Sequence, residues 1–116
     1  MFTCETKAII FKGADATFDI QLMDQNNNFY NLTGTTELKA YLKKSDGTIM
    51  EKDLTSGVVI AVPFSNGKLS ISFTEVETAL LPEGRNQDIE LEIINGTDTK
   101  IVQLLKVLEV RARLFV

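Results

Sequence analysis

The sequence predicts an all-β chain: a single antiparallel β-sandwich of about eight strands, spanning residues 1–116, with one short helical turn near residues 75–81. Three observations predict it. Apolar and polar residues alternate in short runs, as in Phe18-Asp19-Ile20-Gln21-Leu22 and Ile89-Glu90-Leu91-Glu92-Ile93, so each run presents one apolar pleat face. Clusters of Gly, Asn and Asp break the chain about every 8–12 residues, the turn spacing of a sandwich. The stretch from Lys68 to Ile94 reads as strand, helical turn, Pro/Gly corner and strand, which carries a chain from one sheet to the other.

Taken in order, Thr6–Lys12 is β-prone and ends at Gly13. Thr17–Met23 turns Phe18, Ile20 and Leu22 one way and Asp19 and Gln21 the other. Asp24–Asn28 is a turn of residues that bond their own backbone, followed by a short extended piece at Phe29–Leu32 and a turn at Thr33-Gly34-Thr35. Glu37–Lys44 has the composition of a helix, but its length, its flanking turns and the alternation of Leu38, Ala40 and Leu42 favour a strand. Asp46-Gly47 suits a type I′ hairpin, with Thr48–Asp53 returning antiparallel. Val58–Val62 is a β-branched run, and Ser65-Asn66-Gly67 turns into Lys68–Phe73.

Thr74 and Glu77 have the spacing of a capping box, and Pro82 and Gly84 end the turn that it starts. Ile89, Leu91 and Ile93 then resume alternation, and Asn95-Gly96 is a second hairpin signal. Thr99–Val110 lacks clean alternation, and its composition also allows a helix. Its place after a hairpin turn favours a long, bulged or doubly covered strand. In Arg111–Val116, Ala112 and Leu114 fall opposite Arg111 and Arg113.

Composition narrows the chemistry. The chain has no His, which removes the commonest general base and metal ligand, and Cys4 alone cannot form an intrachain disulfide. The net charge of −4 is shared evenly, each half carrying 6 basic and 8 acidic residues, so no basic stripe marks a nucleic-acid partner. The N-terminal segment lacks the pattern of a secretory signal, and Ile101–Val110 is too short and too charged to span a bilayer, so synthesis in a cytoplasm is expected. Isolated glycines make no phosphate loop, and neither cofactor nor metal is expected. Asp88, Glu90 and Glu92 form the one carboxylate cluster, and about 7 Å along a strand separates neighbours on one face, which fits a solvated sheet face. Lys39 and Lys43 form a matching basic row, expected to pair with those acids if the two strands are neighbours. The two Asn-x-Thr sequons, at Asn31 and Asn95, fall at turns and are read as chance.

The order of pieces resembles a known family. Phe11-Lys12-Gly13-Ala14-Asp15 precedes the strand from Phe18 to Asp24, and Leu32-Thr33-Gly34 precedes Leu38–Lys44. Leu81-Pro82-Glu83-Gly84-Arg85 then leads into Asp88-Ile89-Glu90-Leu91. This resembles the immunoglobulin-like β-sandwich domains of tailed-phage and prophage virion proteins, nearest the N-terminal domain of the baseplate upper protein family. Where that family tends to place an aromatic before the Asp, this chain has Asn86-Gln87. Where it tends to place a Gly in the last strand, this chain has Leu105-Lys106. The resemblance implies a non-enzymatic virion module of the tail, baseplate or fibre attachment. It would contact other virion subunits and copies of itself, with no nucleic acid, membrane insertion or cofactor.

Tyr30, Tyr41, Leu114, Phe115 and Val116 are the candidate partner contacts, the last three either docking on a partner or packing back on their own sheet. The alternative is a bacterial adhesion or carbohydrate-binding sandwich, which predicts an exposed aromatic groove near Tyr30 and Tyr41. A small enzyme is the remaining reading, and no base, metal set or phosphate loop assembles for it.

Overall fold

The computed structural model describes residues 3–4 and 8–114, and the Cys4 thiol, Phe115 and Val116 lie outside the described part. Alternation becomes strand where expected. The strands are β1 (Thr3–Cys4), β2 (Ala8–Phe11), β3 (Ala16–Met23), β4 (Glu37–Lys43), β5 (Ile49–Asp53), β6 (Val58–Ile60), β7 (Lys68–Phe73), β8 (Gly84–Asn95) and β9 (Asp98–Arg111). A helix, α1 (Glu75–Ala79), lies between β7 and β8. The ambiguous Glu37–Lys44 and Thr99–Val110 stretches are both strands.

Two sheets form, one ordered β1-β3-β7-β6 and the other β2-β9-β8-β4-β5. This is the immunoglobulin-like arrangement: a four-stranded sheet faces the sheet that holds the last two strands, with the chain crossing between them. Phe18, Ile20 and Leu22 of β3 and Leu69, Ile71 and Phe73 of β7 form one inner face. Leu38, Ala40 and Leu42 of β4, Ile89, Leu91 and Ile93 of β8, and Val102 and Leu104 of β9 form the other. Burying each such Leu, Ile or Phe stabilises the fold by about 1.5–3 kcal/mol before the entropy of ordering it is subtracted. The disulfide and tryptophan that staple many immunoglobulin domains are replaced here by these aliphatic rows.

The stretch from Lys68 to Ile94 carries the chain between sheets as expected. Thr74 caps α1, its hydroxyl accepting the Glu77 N–H at 3.2 Å while a Glu77 carboxylate oxygen accepts the Thr74 N–H at 2.9 Å. The helix stops at Ala79, and β8 begins at Gly84, inside the expected corner. Thr78, fully buried, ties α1 to the β2–β3 turn: its hydroxyl donates to the Ala14 carbonyl at 2.9 Å and accepts the Gly13 N–H at 3.0 Å.

Two expectations are corrected. The pairing is not antiparallel throughout, because β2 runs parallel to β9, Ala8 opposite Leu108 and Phe11 opposite Arg111. A parallel pair needs a long connection, and here nearly the whole domain lies between the two strands. The first strands thus divide: β1 pairs antiparallel with β3 and β2 joins the other sheet. The Asp46-Gly47 turn is not type I′, which needs positive φ at both central residues. Only Gly47 has it, at 90°, and bonds from Gly47 N–H to the Lys44 carbonyl and from Lys44 N–H to the Thr48 carbonyl close a three-residue loop. As expected, Phe29–Leu32 is a short piece outside the named strands. It is tied in by an isolated bridge from Phe29 to Met23 and by the Tyr30 N–H donating to the Leu22 carbonyl.

Candidate functional site

Of the sequence-derived contacts, Tyr30 packs against the core, and burial raises its pKa. Tyr41 stands on the outer face of β4, where partial burial, then the charges of Glu92 and Glu51, raise its pKa against the opposing effect of Lys39. The two tyrosines therefore share no groove, and the aromatic groove expected near both is absent among the described residues. Leu114 is 92 % exposed and does not pack back on the sheet. Phe115 and Val116 lie outside the described residues.

The Lys39/Lys43 row does neighbour the acidic row, since β4 pairs with β8 and Lys39 sits opposite Glu92. The ion pairs of Lys39 run elsewhere, to Glu37 at 3.3 Å and Glu51 at 3.8 Å. Glu37 lies two residues away on the same strand, and β5, which flanks β4 on its other side, offers Glu51. These contacts raise the Lys39 pKa, the Glu37 hydrogen bond first and then the charges of Glu37 and Glu51.

The most enclosed polar cluster was missed by sequence reasoning. Lys52, on β5, points inward with its side chain 5 % exposed, and its ammonium donates to both Glu77 carboxylate oxygens at 2.7 and 2.8 Å. The ammonium also lies 5.6 Å from the Phe73 ring centre. Burial by itself raises the Glu77 carboxyl. The Lys52 hydrogen bond, the Thr74 N–H and the Lys52 charge together overcome that and hold its pKa below the ordinary value. The two bonds from Lys52 to Glu77 join α1 to β5, and the Thr74 N–H holds the same carboxylate in place, which makes the cluster a structural lock. Its one legible signal was the parity of Ile49-Met50-Glu51-Lys52, which places Met50 and Lys52 on the same side.

No group of three acidic, Cys or His residues is placed to hold a metal among the described residues. Asp88, expected only to be solvated, has a specific role. Its carboxylate accepts the Lys106 N–H at 2.7 Å. Lys106 has φ 58, a left-handed conformation that costs a side-chain-bearing residue about 1–2 kcal/mol and that Gly adopts freely. Register around it slips: Gln87 faces Leu108 while Ile89 faces Leu104, so β9 bulges and Leu105 stands out, 64 % exposed.

Leu105 meets Tyr41 and Ile49 in a shallow groove of about 270 Å³ on the outer face of the five-stranded sheet, edged by Asp88, Glu90 and Lys43. Ile101 on β9 and Ile9 and Phe11 on β2 are further exposed apolar residues of that face. Its acidic positions are Asp88, Glu90 and Glu92 on β8, Glu37, Glu51 and Asp53 on β4 and β5, and Glu109 on β9. Its cations are Lys39, Lys43 and Arg111, and exposed Arg85, Lys100 and Lys106 lie on the same strands, so the acidic excess is local, with Asp88, Glu90, Glu92 and Glu51 around Tyr41 against Lys39 and Lys43. The other sheet has a second groove, about 560 Å³, where Phe29, Val59 and Ala61 adjoin Asp19, Gln21, Lys68 and Ser70.

No family model matches the chain, and no curated protein matches it by sequence. Among solved structures, the chain is similar to the titin domains Z1Z2 in complex with telethonin, at 16 % identity and a TM-score of 0.39. It is also similar to a chimeric titin Z1Z2-Z1Z2 tandem carrying a GRGDS peptide from fibronectin, at 18 % identity and a TM-score of 0.45. Each alignment covers 97 % of this chain, which spans about half the length of those two chains, 48 % and 49 %. The immunoglobulin-like fold stands on the strand order of the two sheets.

Proposed function

We propose that this domain is a non-catalytic assembly module that holds other protein subunits, and that its setting is the tail, baseplate or fibre attachment of a phage or prophage particle. The observation that carries the assembly reading is the outer face of the five-stranded sheet, where Leu105, Ile49, Ile101, Ile9 and Phe11 are all at least 45 % exposed. Apolar side chains gathered on one sheet face, rimmed by charge, mark a protein–protein surface. The particle setting is supported by the sequence resemblance. The non-catalytic reading is supported by Lys52 and Glu77, the most enclosed charged pair, which are bonded to each other.

Light scattering and electron microscopy of the purified chain test the assembly reading. A trimer, hexamer or filament supports it, and a monomer that binds sugar overturns it. An antibody to the chain that decorates particle tails from the source bacterium supports the setting, and a signal confined to the cell surface overturns it. The groove around Phe29 favours a second reading, a carbohydrate site with Phe29 as stacking platform. Glycan-array binding lost in Phe29→Ala would establish that reading.

A further inference from the structure

We infer that the outer face of the five-stranded sheet docks a cationic protein segment that places one apolar side chain in the groove between Leu105, Tyr41 and Ile49. This rests on the assembly reading and names the chemistry of the partner.

Two independent features converge on that groove. The first is the β9 bulge. A lysine held at φ 58 by the Asp88 carboxylate keeps Leu105 raised on the sheet, beside Tyr41 and Ile49, although a regular ladder would spare the backbone strain. Bulges re-aim side chains in this way, and local strain persists where the surrounding structure enforces it.

The second is charge. Around the groove Asp88, Glu90, Glu92 and Glu51 outnumber Lys43 and Lys39, and Lys39 is already shared between Glu37 and Glu51. A second copy presenting the same face would bring like charges together, which opposes association, whereas a Lys- or Arg-bearing segment meets complementary potential. The groove then supplies the desolvated anchor that a charged rim alone lacks. Acidic β8 positions on one side and Glu51 on the other suit a segment with cations flanking its apolar residue.

The test titrates the isotope-labelled full chain with an octapeptide alternating Lys and Leu, and separately with its Glu-Leu counterpart, following backbone amide shifts. Shifts confined to β4, β5, β8 and β9 around Leu105, with the Glu-Leu peptide silent, are the expected result. Leu105→Ser should weaken binding about tenfold without changing the melting temperature, as loss of a central anchor does. Added salt should weaken it further by screening the rim.

Shifts mapping to the other sheet, equal binding by both peptides, unchanged affinity in Leu105→Ser or no binding at all would each overturn the inference. So would concentration-dependent self-pairing abolished by Leu105→Ser. A chain that assembles by light scattering yet ignores the Lys-Leu peptide overturns this inference and leaves the assembly reading standing.

Discussion

Replacing Glu77 by Gln separates the charge of the Lys52–Glu77 lock from its geometry. Gln at this position keeps helix propensity and still offers an oxygen to the Thr74 N–H, so the capping box survives. What remains is a Lys52 ammonium only 5 % exposed and without its carboxylate. Removing one partner of a buried pair costs about 3–5 kcal/mol. The Glu77 side chain is 27 % exposed, so water reaches the site and the expected loss falls to about 2–3 kcal/mol. At about 4 °C per kcal/mol for a domain of this size, the melting temperature should drop by about 10 °C.

Lys52→Met should cost only about 1 kcal/mol, because the part-open Glu77 carboxylate keeps water and the Thr74 N–H as partners. The double variant should then match Lys52→Met, a coupling of about 2 kcal/mol in a double-mutant cycle measured by urea unfolding and circular dichroism. Simple additivity would show that the pair is effectively solvated, equal losses would show that Glu77 is no more open to water than Lys52, and either would refute the reasoning. Because the folded-state pKa of Glu77 lies below its unfolded value, the stabilisation is complete above the unfolded pKa. It is lost as pH falls through the folded one. In Glu77→Gln that part of the acid sensitivity should disappear.

Gly57→Ala should destabilise by about 2 kcal/mol or more in the same assay. Gly57 has φ +109, and an added Cβ would lie 2.6 Å from the Ser72 carbonyl oxygen and 2.9 Å from Lys52 Cε. Asp88→Ala should cost about 1 kcal/mol and speed hydrogen exchange at the Lys106 amide, which would lose its charged acceptor. Leu114→Ser should leave stability within about 0.5 kcal/mol of the parent, since that side chain is 92 % exposed.

Much of the architecture was legible because period-two alternation is a local signal. Phe18, Ile20 and Leu22 are buried together, and so are Ile89, Leu91 and Ile93. The capping box was equally legible, since Thr74 and Glu77 are three residues apart. What escaped depends on distant partners. Glu77 meets a lysine 25 positions away, and a charged residue in a short edge strand reads as outward until its neighbours are known. The parallel β2–β9 pair joins strands about 100 residues apart, Ala8 opposite Leu108, which no hairpin signal predicts. The interrupted pattern of Thr99–Val110 left a long, bulged or doubly covered strand open, and the structure shows a long strand with a bulge. Its position, and the role of Asp88 in closing it, required the facing strand.

The parallel β2–β9 pair also has a mechanical consequence. Because the strands run the same way, the segment leading into β2 and the segment leaving β9 depart from opposite ends of the sheet. A pull between those ends slides β2 along β9, so the rungs joining Ala8–Phe11 to Leu108–Arg111 bear the load together. A hairpin pulled from its two open ends would instead peel one rung at a time, and tension between β2 and β9 therefore meets its resistance at the seam where these two strands lie side by side.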